Sequence, residues 1–139
     1  MTPNATDTEM VTREIQPGEW KEFFDEFTRR HEGWLVTVEI FGEMGAQVEA
    51  EERPLKGIFA ERKKGSSEIE ILTGDTPDET FTHVVAHPSS VRVEETAEGA
   101  ESALEIRSKD EGTTLVRFRA TALPETVDGV GPGPGPVSA

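Results

Sequence analysis

From residue 17 onward the apolar positions fall into a helical stripe. Trp20, Phe23, Phe24 and Phe27 lie at i, i+3, i+4 and i+7, the spacing that sets side chains on one face of an α-helix. Pro17 suits a first helical position. Glu19 and Glu22 suit the N-terminal end of the helix dipole, and Arg29, Arg30 and His31 the C-terminal end. Gly33 stands where a left-handed terminator is wanted. The pattern predicts a helix over about residues 17–32.

After Gly33 the period falls to two. In WLVTVEIF, residues Trp34, Val36, Val38 and Ile40 share one face. Ile69 and Ile71, Val91 and Val93, Leu104 and Ile106, and Val116, Phe118 and Ala120 repeat the alternation in later segments. Pro54 is expected to break or bulge VEAEERPLKGIFAERKK. The segments ALEIRS and TLVRFRA predict a hairpin. With Gly112 as the left-handed residue of a three-residue loop, Ile106 would face Val116, Leu104 would face Phe118, and Glu105 would face Arg117. One apolar and one polar face per strand fits an antiparallel sheet solvated on one side. The expected fold is α+β: an N-terminal amphipathic helix packed on a strongly bent antiparallel sheet or small β-barrel of about five to seven strands. Residues 1–12 read as a disordered lead-in, 13–128 as a single domain, and 129–139, where Gly and Pro alternate, as a flexible tail.

Charge narrows the partners. The chain carries 28 acidic and 14 basic residues, a net charge of −14, and so repels phosphate backbones; no nucleic-acid partner is expected. Arg outnumbers Lys, 9 to 5. An acidic, Lys-poor surface suits solubility in high salt, as in a salt-adapted source, and equally serves as ordinary solubility charge. The absence of Cys excludes disulfides, thiolate metal sites and cysteine nucleophiles. No apolar run approaches the ~18 residues of a membrane span, and MTPNATDTEM has neither the basic nor the apolar region of a signal peptide. No membrane partner is expected, and the expected location is cytoplasmic.

The inventory for catalysis is thin. His83 and His87 lie four apart in FTHVVAHP. On a strand they would share a face at roughly 13 Å, too far for one zinc ion held at about 2.1 Å from each. They read first as half-exposed strand histidines and second as metal ligands. In GDTPDE, Asp75, Asp78 and Glu79 could offer oxygens to Ca²⁺, but the spacing is not that of an EF-hand; a turn is the first reading. Adjacent carboxylates such as Glu51 with Glu52 and Glu94 with Glu95 point to opposite strand faces and cannot form a two-carboxylate site. No nucleophile elbow or phosphate-cradling loop is present in the sequence. The basic stretch ERKKGSS reads as a solvated turn. The balance leans away from an enzyme, and no cofactor is expected.

The stretches EWKEFFDEFTRRHEGWLVTVEI, GAQVEAEERPLKGI, GDTPDE and ALEIRSKDEGTTLVRFR resemble a family of small bacterial and archaeal proteins of unknown function, over about residues 12–128. The order of a helix followed by short strands is also similar to Sm-like and SH3-like small barrels, with LKGIFAERKKGSSEIEIL in place of their second and third strands. The Sm-like RNA-binding signature does not carry over: Glu61 stands near its acidic position, no Asn follows, and the Arg-Gly dipeptide is missing.

These readings converge on a non-enzymatic interaction or oligomerisation module. Its second copy or protein partner would meet a sheet edge or the aromatic helix bearing Trp20, Phe23, Phe24 and Phe27. The alternative is a small-molecule or metal-binding domain, hydrolase-like, built on His83 and His87 or on the Asp75–Asp78 loop.

Overall fold

Pro17–Glu19 open as a turn of 3-10 helix and lead into α1 (Trp20–His31), as the spacing of the aromatics predicts. Trp20, Phe24 and Phe27 are buried, and Phe23 packs against the same cluster. Full burial of each phenylalanine side chain contributes about 1.5–3 kcal/mol. The other elements are strands: β1 (Met10–Ile15), β2 (Leu35–Gly42), β3 (Gly45–Lys63), β4 (Ser66–Thr73), β5 (Phe81–Ala86), β6 (Pro88–Thr96), β7 (Glu101–Ser108) and β8 (Gly112–Ala122). The computed structural model describes residues 10–63 and 65–122. The expected lead-in as far as residue 9 and the expected tail lie outside the described residues.

The expectation of five to seven strands, arranged as a bent sheet or small barrel under an N-terminal helix, is corrected. A single antiparallel sheet of eight strands dominates the fold, in the order β1-β6-β7-β8-β2-β3-β4-β5, and one short helix accompanies it. Among the described residues the sheet is open, because β1 pairs only with β6 and β5 only with β4. The helix is not the first element: β1 precedes it and includes residues 10–12, which read as lead-in. Only Ile15 of β1 is buried, so the strand has no alternation to betray it. The meander order of the small barrels is absent as well, since β1 crosses to β6 and β2 pairs with β8.

β3 is where the sheet turns. Its first half pairs with β2 and its second half with β4. Glu52 adopts φ 48 at a break in the β2–β3 register, and Pro54 falls just where β3 exchanges one neighbour for the other. A proline has no N–H to give a ladder, so it fits such a junction. Beyond the junction β3 has lost β2, and α1 takes that place. Thr28 Oγ1 lies 2.9 Å from the Ile58 N–H, which donates to it, and 3.1 Å from the Ile58 carbonyl, which accepts from it. One hydroxyl thus supplies both contacts that a neighbouring strand would make. A Cβ on Gly57 would come within 3.3 Å of the Thr28 methyl and 2.6 Å of the Phe59 ring, so glycine permits this close approach.

The sheet bends until β5 meets the β7–β8 turn. Ser108 Oγ donates to the Ala86 carbonyl and the Lys109 N–H donates to that of His87. The alternating positions meet in one core: Val36 and Val38, Ile69 and Ile71, Val91 and Val93, Leu104 and Ile106, and Val116 are buried, and Phe118 packs against them. The β7–β8 hairpin forms with a shifted register. Leu104 faces Val116, Ile106 faces Thr114 and Glu105 faces Leu115, two positions from the expected partners. Ser108 Oγ accepts the N–H groups of both Asp110 and Glu111, which closes the turn one residue earlier than expected. Gly112 has φ 86, and a Cβ there would sit 2.2 Å from the Phe41 carbonyl. Because the shift is even, every side chain keeps its face.

Candidate functional site

Two titratable groups shifted by burial meet at the C-terminal end of α1. His31 is 4% exposed and Glu101 6%. A tight turn places Glu101 at the start of β7: Thr96 Oγ1 accepts the Ala100 N–H, and the Thr96 N–H donates to the Ala100 carbonyl. His31 Nδ1 lies 3.0 Å from the Phe27 carbonyl. A carbonyl only accepts, so Nδ1 carries a hydrogen and Nε2 faces Glu101 Oε1 at 3.3 Å. That approach is attractive only with a proton between the two atoms. Burial lowers the imidazole to about 4. Burial raises the Glu101 carboxyl, while the Arg30 guanidinium opposes the rise. Arg30 Nη2 reaches both carboxylate oxygens, at 3.1 and 2.9 Å.

This unit has the chemistry of an acid–base couple but no room for a substrate. The imidazole packs against Phe27 and Phe118, with ring centroids at 4.4 and 4.6 Å, and Trp34 stands edge-on at 5.6 Å. Both ring nitrogens are engaged. The arrangement latches the end of α1 to β7 through the Arg30–Glu101 pair and the approach of His31 Nε2 to Glu101. The dipole contact expected of His31 gives way to burial of a neutral ring. Arg30 and Glu101 stand 71 positions apart, so no local pattern in the sequence announces their meeting.

The histidines singled out by spacing go separate ways. His83 lies on β5, half-buried, with Nε2 at 3.2 Å from Thr114 Oγ1. Burial lowers its pKa, and Glu49 and Glu111 pull the other way. His87 lies just beyond the end of β5, before Pro88. It adopts φ 51 at the corner between β5 and β6, with Nδ1 at 2.6 Å from Asp110 Oδ2. Among the described residues no group of three or more His, Asp or Glu could hold a metal ion. In the Asp75–Asp78 loop the cation is the protein's own. Lys56 Nζ donates to the Glu79 carbonyl at 2.6 Å, to Thr80 Oγ1 at 2.7 Å and to the Pro77 carbonyl at 3.4 Å. Asp75 pairs with Arg53 at 3.0 Å, and Asp78 is exposed.

The surface feature with most chemical character is the free edge of β5. Among the eight strands only β5, FTHVVA, contains no Asp, Glu, Lys or Arg. It is a terminal strand of the sheet. The Ala86 N–H points away from β4, toward Glu111 Oε1. In an antiparallel ladder such groups alternate, so the backbone groups of Val84 and Thr82 point the same way. Phe81 is 47% exposed and Val84 40%. The C-terminal end of the edge is occupied by Ser108, Lys109 and Glu111 of the β7–β8 turn. At the other end the Arg53 guanidinium lies 5.0 Å from the Phe81 ring centroid. Nothing in the sequence marks β5 as an edge; only its lack of charge could have drawn notice.

Comparison with known proteins agrees with the resemblance noted above. The chain is 30% identical over 118 residues to an "Uncharacterized protein" of Aquifex aeolicus (strain VF5), a match that covers 84% of this chain and 100% of that protein. No solved structure matches the chain. No helix among the described residues is long and apolar enough to cross a membrane. Residues 11–126 match the Family of unknown function (DUF5335), and the chain belongs to that family.

Proposed function

We propose that the protein is a non-enzymatic interaction module that takes up an extended segment of a protein partner as an added strand on the free edge of β5. The observation that carries this reading is the uncharged middle of the edge, Thr82 to Val84, left open among the described residues between the β7–β8 turn and Arg53. Natural sheets blunt their terminal strands with charge, proline or a covering element. β1, the opposite edge, carries Arg13 and Glu14, whereas β5 presents outward backbone groups at Thr82 and Val84 with no charge along its length. A cytoplasmic setting fits a chain without cysteine.

Selection from a library of displayed peptides tests the reading without a known partner. Recovered peptides should bind the wild type and fail on Val84→Lys, which guards the edge as natural edge strands are guarded. Hydrogen exchange should show the Thr82 and Val84 amides protected only when peptide is bound. Recovery of no binder, or of binders that protect other strands and tolerate Val84→Lys, would overturn it.

A further inference from the structure

The charge around the β5 edge identifies the chemistry of the segment it takes. We infer that the occupant is a cationic extended segment, with apolar side chains for the β5 surface and Lys or Arg flanking them; this rests on β5 being the docking edge. Acidic groups stand at both ends of the strand. Asp78 and Glu79 precede it, and Asp110 and Glu111 lie in the turn that meets its C-terminal end. Glu49 of β3 acts electrostatically on His83, as does Glu111. Three cations stand in this region against the six carboxylates of Glu49, Asp75, Asp78, Glu79, Asp110 and Glu111: Arg53, Lys56 and, in the β7–β8 turn, Lys109. Arg53 is held by Asp75 and Phe81, and Lys56 by the loop carbonyls of Pro77 and Glu79. Glu49, Asp78 and Glu79 form no ion pair among the described residues. The field at the edge is therefore negative, and a second copy of this chain, at −14, would bring like charge against it.

The β2–β3 turn adds an apolar contact beside this edge. Residues 41–49 are exposed throughout, and Met44 at the turn is 86% exposed, with Phe41 and Val48 nearby in the hairpin. Gly112 approaches the Phe41 carbonyl, and its neighbour Glu111 reaches the Ala86 N–H. The hairpin and the C-terminal end of β5 thus both adjoin the β7–β8 turn. A segment with alternating side chains can meet Val84 and the hairpin with its apolar positions while its cations meet Glu49, Asp78 and Glu111.

The test uses three synthetic peptides sharing one Val-Thr alternating centre, flanked by Lys, by Gln or by Glu, titrated against the full-length protein. The Lys-flanked peptide should bind at least about tenfold more tightly than the Glu-flanked one, with the gap closing as salt rises. Glu49→Lys with Asp78→Lys, both at exposed positions, should narrow or reverse the order. Equal binding of all three peptides, lost on Val84→Lys, would overturn the cationic occupant and leave strand addition standing. Binding of none, or binding indifferent to Val84→Lys, would overturn both.

Discussion

At the scale of single residues, His31 and Glu101 link pH to stability with opposite signs. The imidazole titrates near 6.5 when unfolded and is lowered to about 4 by burial. Its contribution is therefore complete above about 6.5 and is lost as pH falls toward 4. A shift of that size corresponds to about 3 kcal/mol. Glu101 is raised, so its contribution is complete below its unfolded value of 4.5 and is lost as pH rises through the folded value. Unfolding free energies of wild type and His31→Gln, measured by denaturant at pH 7 and pH 4, separate the two. The wild type should lose about 3 kcal/mol more than the variant between those pH values. Glu101→Gln keeps an acceptor for Arg30 and a donor for Nε2, so it should retain the acid-side loss and remove the alkaline-side one. Identical pH profiles for wild type and His31→Gln would show that His31 is not buried neutral.

At the scale of elements, α1 works as an edge cover as much as a core lid. Thr28→Val keeps the shape of the side chain and removes its hydroxyl, leaving both the N–H and the carbonyl of Ile58 without that partner. Each buried group left unsatisfied costs about 1–3 kcal/mol, so chemical denaturation should show a loss of roughly 2–6 kcal/mol. A loss within 0.5 kcal/mol of zero would mean that water replaces the hydroxyl and the edge needs no cover. The helix was legible in the sequence because the 3.6-residue period, the flanking charges and Gly33 all agree. The strand faces were legible because alternation survives an even slip, and the hairpin partners were not because Ser108 closes the turn early. β1 was hidden because one buried residue in six makes no pattern. The strand order was hidden because β1 with β6, and β2 with β8, join segments far apart in the chain. The same distance conceals the His31–Glu101 latch, while His83 and His87, four positions apart, suggested a pairing that the corner at His87 does not make.

At the scale of the whole molecule, excess charge sets the balance between salt and stability. Cross-strand pairs neutralise part of the solvated face: Glu39 binds Arg117, and Arg92 lies 3.9 Å from both Glu14 and Glu105. Salt weakens such exposed pairs, each worth about 0–1 kcal/mol. Yet pairing all 14 basic residues with acidic partners would still leave 14 of the 28 acidic residues uncompensated. Their mutual repulsion opposes the compact state and is screened beyond roughly 3 Å at 1 M salt. The unpaired excess should outweigh the lost pairs, and added KCl should stabilise the fold. Calorimetry in dilute buffer and in 1 M KCl is expected to show a rise in Tm of about 5 °C, the shift that ~1–2 kcal/mol produces in a domain of this size. Chloride serves better than sulfate here, since sulfate strengthens apolar burial by itself. A fall in Tm would mean that the cross-strand pairs outweigh the repulsion, and that the acidic surface serves solubility or partner choice without adapting the fold to salt.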